Sequence, residues 1–185
     1  MKNLIINPPA VFFTGNQLSG EGVEHVARTI RDLKGIFYDE AARSAMPQNT
    51  VAYEVKSFLP VPEGTPGGLY FGITYLYPGK VGDEYFMTKG HFHACSDRAE
   101  FYWGLTGEGM LIFMNEQRRV WAERMSPGTL HYIPGGVAHR VANTGSNLLS
   151  FAACWPSDAG HNYAEIADSG FACRLIEKNG SPTLI

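Results

Sequence analysis

From Thr50 to Phe151 the chain is a succession of short runs rich in aromatic and β-branched residues, each closed by Gly, Pro or Asn, and this punctuation limits the fold more than any other feature. The runs are Val51–Val55, Leu69–Tyr77, Glu84–Met87, Glu100–Trp103, Met110–Met114, Arg118–Trp121, Thr129–Ile133, His139–Val141 and Leu148–Phe151. Such residues suit a pleated, half-buried surface, and turn residues at regular intervals predict an all-β barrel or jelly roll. The preceding stretch has another rhythm. Val23, Val26, Ala27, Ile30 and Leu33 recur at helical spacing between Gly22 and Gly35, which predicts an amphipathic helix closed by a glycine. A second short helix is expected from Asp39, a good N-cap, to the residues before Pro47. With no internal repeat and no shift in composition, one domain is expected over 1–185. Residues 1–49 would be a helical and extended preface, 50–155 the barrel core and 156–185 a segment packing on the barrel. The loop from Pro60 to Gly68 would cover one end of it.

Inside the strand-rich region, Gly90-His91-Phe92-His93 is followed by Glu100 and Gly107, and later by Gly128, Pro134, Gly136, His139 and Asn143. In extended chain, side chains at i and i+2 point to one face, so His91 and His93 can offer two imidazoles to one point. Glu100 and His139, from other strands, would add a carboxylate and a third imidazole, a donor set suited to a divalent ion with positions left for water or substrate. A single histidine in a half-buried strand is more often a hydrogen-bonded structural residue, and His25 and His131 read that way. Here, however, glycines and Pro134 stand where tight turns must join the ligand-bearing strands.

A net charge of −3 over 185 residues argues against a nucleic-acid or membrane-surface partner, since no basic stripe is present. The 44% hydrophobic content is enough for one buried core. The opening MKNLIINPPAVFF has one lysine and a short apolar run broken by Pro8 and Pro9, unlike a signal peptide, so a cytoplasmic protein is expected. Three unpatterned cysteines, Cys95, Cys154 and Cys173, fit free thiols in a reducing compartment. Cys95 and Arg98 are expected in the turn before Glu100, the arginine pairing with Asp97 or another surface acid.

The second group of residues reads G-x5-P-x-G-x2-H-x3-N, and the first H-x-H-x6-E-x6-G; together they resemble the two motifs of the cupin superfamily. Two departures stand in the first motif: six residues separate His93 from Glu100, and Tyr85 replaces a glycine. Longer blocks narrow the resemblance. Thr74-Tyr-Leu-Tyr-Pro-Gly-Lys-Val-Gly82, Phe86-Met-Thr-Lys-Gly-His-Phe-His93, Asp97-Arg-Ala-Glu100, Val137-Ala-His-Arg140 and Pro156-Ser-Asp-Ala-Gly-His-Asn-Tyr163 resemble the cupin-type glucose-6-phosphate isomerases, best known from archaea. The resemblance implies a single cupin barrel, a homodimer and a sugar-phosphate substrate. It also implies one divalent metal per subunit, often Fe2+, although His3Glu also accepts Mn2+, Ni2+, Co2+ or Zn2+.

Carried over by position, it implies His91, His93, Glu100 and His139 as metal ligands, and Thr74, Thr88 and Gly90 around the phosphate. By themselves the two threonines are ordinary strand residues. Tyr102, two beyond Glu100, can reach the site or serve as a core aromatic. His161 and Tyr163 would line the substrate cavity as catalytic groups, and Glu100 is either ligand alone or also the base of an enediol route. Trp155 stands where the family has Tyr, exchanging a hydroxyl for an indole with one donor and no acceptor. Two other activities fit a His3Glu cupin: an iron dioxygenase, and a sugar-binding protein without catalysis.

Overall fold

The computed structural model describes residues 10–185, so most of the apolar opening run lies outside it. Strands β1 (Val11–Thr14) and β2 (Gln17–Gly20) form a hairpin, followed by β3 (Val23–Thr29), one turn of 3-10 helix (Ile30–Leu33) and α1 (Glu40–Ala45). Then come β4 (Val51–Phe58), β5 (Leu69–Leu76) and the two-residue strands β6 (Lys80–Val81) and β7 (Glu84–Tyr85). The succession β8 (Glu100–Thr106), β9 (Gly109–Asn115), β10 (Val120–Met125), β11 (Leu130–Ile133), β12 (Val137–Asn143) and β13 (Leu149–Pro156) completes the barrel. Beyond it lie α2 (Ala164–Ser169) and a hairpin of β14 (Leu175–Lys178) and β15 (Ser181–Leu184).

A six-stranded sheet, β11-β8-β13-β5-β4-β3, faces a three-stranded one, β10-β9-β12, and all their pairings are antiparallel. Leu76, Phe151 and Ile133 of the larger sheet meet Leu111, Phe113 and Val141 of the smaller in one core. Strand β9 is buried at every position but Asn115, because both its faces are covered. One face turns to this core, and on the other Met114 packs with Phe92, Ala138 and Ile166 of α2. Here the motif glycines and Asn143 have structural work. Gly107 has φ +76 in the turn between β8 and β9, and a Cβ there would stand 2.5 Å from the Leu148 carbonyl oxygen. Asn143, fully buried, donates to the carbonyls of Leu76 (2.8 Å) and Asn147 (2.9 Å) and accepts from the Gly145 amide (3.0 Å).

The nine expected strands are present, with their ends moved by a few residues. The helix expected over Val23–Leu33 is not. Val23–Thr29 is instead a strand paired antiparallel with Phe58–Val51, its register shifting between Arg28 and Thr29, and only Ile30–Leu33 turns helically. The cause lies in what β3 faces. Glu24, Val26 and Arg28 project into an open cavity rather than a packed core, so the apolar–polar alternation that marks a strand is absent and two valines fall at helical spacing by coincidence. The second helix forms as expected, with Asp39 Oδ1 accepting from the Ala42 amide at 2.8 Å and the helix ending before Pro47. The loop through residues 59–68 is pinned over the cavity by Tyr70 Oη donating to Val61 O (3.1 Å) and Ser157 Oγ to Thr65 O (2.7 Å).

A candidate metal and substrate site

The segment 90–93 adds no long strand, yet it is held extended. His91 and His139 exchange backbone hydrogen bonds of 3.3 and 3.1 Å, and Phe92 pairs with Asn162. Extended geometry sends Phe92 outward to Met114 and Ile166 and both histidines inward. There His91, His93, Glu100 and His139 come together, with one donor atom from each lying within 4.8 Å of all the others. Glu100 Oε1 is 3.1 Å from His93 Nε2 and 2.6 Å from His139 Nε2. The second contact lacks hydrogen-bond alignment, which leaves His139 Nε2 buried without a hydrogen-bond partner. A buried, unpartnered nitrogen aimed at a carboxylate and two further imidazoles fits a divalent cation.

The six residues between His93 and Glu100 have a role of their own. They form a turn in which Arg98 grips Asp158 through Nε (2.9 Å) and Nη2 (2.8 Å) and also reaches Asp97. The Arg98 carbonyl accepts from His93 Nδ1 at 2.7 Å, so Nδ1 is protonated and Nε2 is the nitrogen that faces the site. Cys95 stays in this turn, its thiol 3.3 Å from Asp97 Oδ1. His25 pairs with Glu54, and His131 is buried between Glu123 and Thr129, both structural as expected.

Electrostatics differ among the four. Burial pushes His91 well below 6.5, reinforced by the neighbouring imidazoles. For His93 burial acts downward too, but its bond to Glu100 and the negative charge there raise it above 6.5. Burial would raise Glu100, yet His139 and then His93 outweigh it and hold the carboxyl at about 2. Tyr102, on the same face as Glu100, is pushed well above 10 by burial and by that carboxylate, and so remains a phenol.

A cavity of about 560 Å³ opens from this cluster. Thr74, Thr88, Gly90, Tyr102, Trp155, His161 and Tyr163 all line it together with His91, His93, Glu100 and His139, so the candidate ligands and the candidate substrate residues meet in one place. His161 lies 4.4 Å from His91 between ring centroids and stacks on Tyr163 with planes 4° apart. Burial lowers His161 below 6.5 and raises Tyr163 above 10, leaving both neutral near pH 7. Gly90 has φ +76, and a Cβ there would strike Phe171 at 2.7 Å. Thr88 Oγ1 accepts from the Val141 amide at 3.1 Å and keeps its own proton to donate. Trp155 packs edge-on to Tyr70 and lies across Gly72, where a Cβ would be 3.1 Å from the indole.

Sequence reasoning missed Tyr53, Arg28, Lys89, Glu24 and Glu63 as cavity residues. Lys89 was visible between Thr88 and Gly90; Arg28 and Glu24 were hidden by reading β3 as a helix.

A family profile described as Glucose-6-phosphate isomerase (GPI) matches residues 27–183. A glucose-6-phosphate isomerase of Thermococcus kodakarensis is 44% identical over 166 residues, covering 89% of this chain and 86% of its own. One of Pyrococcus furiosus is 44% identical over 168 residues, covering 89% and 87%, and one of Sinorhizobium medicae 42% over 146, covering 77% and 67%. Among solved structures, an oxalate decarboxylase of Bacillus subtilis is 16% identical, with 60% of this chain and 26% of that one covered at a TM-score of 0.46. The profile match over most of the barrel, and relatives that cover nearly nine-tenths of the chain, show that it belongs to the glucose-6-phosphate isomerase family.

Proposed function

We propose that this protein is a metal-dependent aldose–ketose isomerase interconverting glucose 6-phosphate and fructose 6-phosphate. The observation that carries the reading is the convergence of three imidazoles and one carboxylate within 4.8 Å at the end of a cavity large enough for a hexose phosphate. His91, His93, Glu100 and His139 would hold one divalent ion, with Fe2+ first among the candidates. When bound, the ion supplies Lewis-acid stabilisation of negative charge developing on the two sugar oxygens and a template that orients them.

The chain's own groups divide the rest of the work. Isomerisation moves one hydrogen between C2 and C1 and one proton between O2 and O1. Glu100 is buried and contacted by two imidazoles that favour its ionised form over the burial that opposes it. That supports a ligand role and a hydrogen passing from C2 to C1 with its electron pair. His161, neutral and beside His91, is placed to carry the hydroxyl proton from O2 to O1, and the Tyr163 phenol stacked on it holds its orientation. Thr74, Thr88 and Gly90 offer two hydroxyls and a backbone N–H to the phosphate, whose binding energy orients a reacting centre some carbons away.

The proposal includes a single-domain, cytoplasmic homodimer. Phe101, Leu130 and Tyr132, exposed side by side on β8 and β11, support an interface on the outer face of the large sheet; β5, by contrast, is partly covered by the first hairpin, through Phe13 on Phe71. The deciding experiment is a coupled assay of fructose 6-phosphate conversion on chelated and metal-reconstituted protein, with oxygen uptake followed alongside. Turnover restored by metal without oxygen uptake is expected. Oxygen consumption, or no turnover in verified metal-loaded protein, would overturn the reading.

A further inference from the structure

Arg140 follows the candidate ligand His139 on β12 and is 4% exposed, with no acid at ion-pair distance among the described residues. Its Nη2 donates to the Cys173 carbonyl oxygen at 3.1 Å, its guanidinium carbon lies 4.2 Å from the centre of the Phe171 ring, and its Nε is buried without a hydrogen-bond partner. Burial lowers its pKa to about 10 and so leaves it charged near pH 7. A buried charge held in this way costs stability, and an apolar side chain of similar size would fill the space without that cost. What the guanidinium supplies beyond packing is direction: a plane that stacks on the ring and an N–H that fixes the chain beside it.

That chain runs directly behind the metal motif. The space a Cβ on Gly90 would take is filled by Phe171 Cε2 and Arg140 Cβ, 2.7 and 3.0 Å from its position. The residues on either side of Gly90 are tied to β12 at the two neighbours of Arg140: the Thr88 amide donates to Val141 O at 2.9 Å, and the His91 amide to His139 O at 3.3 Å. Gly90 therefore sits between two anchors with the ring against its back. The ring's own segment is held at both ends. Arg118, in the turn between β9 and β10, donates to Ser169 Oγ (2.8 Å) and to the carbonyls of Ser169 (3.1 Å) and Gly170 (3.2 Å), and the Ala172 amide reaches Met114 Sδ at 3.3 Å.

We propose that Arg140 is a positioning residue for the metal centre: by stacking on Phe171 and holding Cys173 it keeps the ring against Gly90, and so fixes the extended segment 88–91 that presents His91 to the cation. The inference rests on the reading of the three histidines and Glu100 as a metal site. Gly90, with φ +76, is the most yielding link of that segment, since glycine moves between conformations more freely than any other residue. A ring against its Cα leaves it one conformation, and the ligand after it one direction. Such support shows in metal affinity rather than in the stability of the metal-free chain, where the uncompensated charge works against folding.

The test uses Co2+, whose visible absorption reports the arrangement of its ligands, on the parent, on Arg140→Met, on Phe171→Leu and on the double variant. Competition with a chelator should show Co2+ affinity about tenfold lower in Arg140→Met, with a shifted absorption band. The metal-free form of that variant should unfold in urea at or above the parental midpoint. Phe171→Leu should lose affinity in the same direction, and the double variant should lose no more than the weaker-binding single variant, because both changes break one contact. An Arg140→Met chain that unfolds well before the parent when metal-free, or does not fold, makes the arginine structural and overturns the proposal. So do parental affinity in either single variant and losses that add in the double variant. A parent that takes up no Co2+ overturns the metal reading itself, and this inference with it.

Discussion

His93 Nδ1 donates to the carbonyl oxygen of Arg98 at 2.7 Å, and Arg98 is itself clamped to Asp158 by two hydrogen bonds. A link in the second layer therefore sets which nitrogen of His93 faces the cation. Asp158→Asn removes the charge of the clamp and slackens the turn while leaving all four ligands in place. Metal affinity is expected to fall by on the order of tenfold, the lower end for lost orienting partners. Competition with a chelator of known affinity measures it, and an unchanged dissociation constant would show that the turn holds its shape without the clamp.

Replacing Glu100 by Gln tests its assignment as a ligand. A neutral amide is a weaker donor than a carboxylate, so metal content and turnover should decline together. In the parent, product formed in D2O should carry no deuterium at the migrating position, because a hydrogen passing directly between carbons does not meet water. A metal-replete Gln variant that lost on the order of a hundredfold in kcat, with solvent deuterium appearing in parent product, would instead make Glu100 the general base.

Proton competition gives metal uptake a pH dependence. His93 binds its proton more tightly than an ordinary histidine in the metal-free protein, whereas His91 has already lost its proton near pH 7. The metal requires neutral His93, so a folded-state value raised above 6.5 means that affinity is full above that value and weakens as pH falls through it. The decline should approach about tenfold per pH unit for each proton displaced. Calorimetry in buffers of different ionisation enthalpy counts that proton; uptake without proton release between pH 6 and 7, a range of about one unit around the ordinary histidine value, would contradict the assignment.

Asn143→Ala probes the fold apart from the chemistry. It strips three hydrogen bonds from a fully buried amide and leaves the carbonyls of Leu76 and Asn147 without that donor. A loss of about 2–3 kcal/mol is expected in urea unfolding, set mainly by the orphaned carbonyls. A loss below about 0.5 kcal/mol, the scale of an ordinary surface change, would mean that water takes over those bonds.

Both the fold and the site were legible in the sequence wherever side-chain pattern and burial agree. The barrel strands could be read because their aromatic and β-branched residues face the core. The histidine cluster could be read because period-two spacing and turn glycines are local features. β3 escaped because its inward face meets an open cavity rather than a packed core, and the charged residues it contributes escaped with it. Asp158 stands out in the sequence only within the block Pro156–Tyr163, since nothing along the chain announces a contact with Arg98, 60 residues away.

β3, like β11, is an edge strand of the six-stranded sheet and has a neighbour in it on one side only. Amides on such an edge open most readily, and hydrogen exchange registers that opening. Because Arg28 stands on this strand and lines the cavity, an anionic ligand that reached it would tie an open edge of the barrel to its centre. Saturation with substrate should then slow exchange across Val23–Thr29 more than in the enclosed strand β9, so that filling the cavity also completes the wall around it.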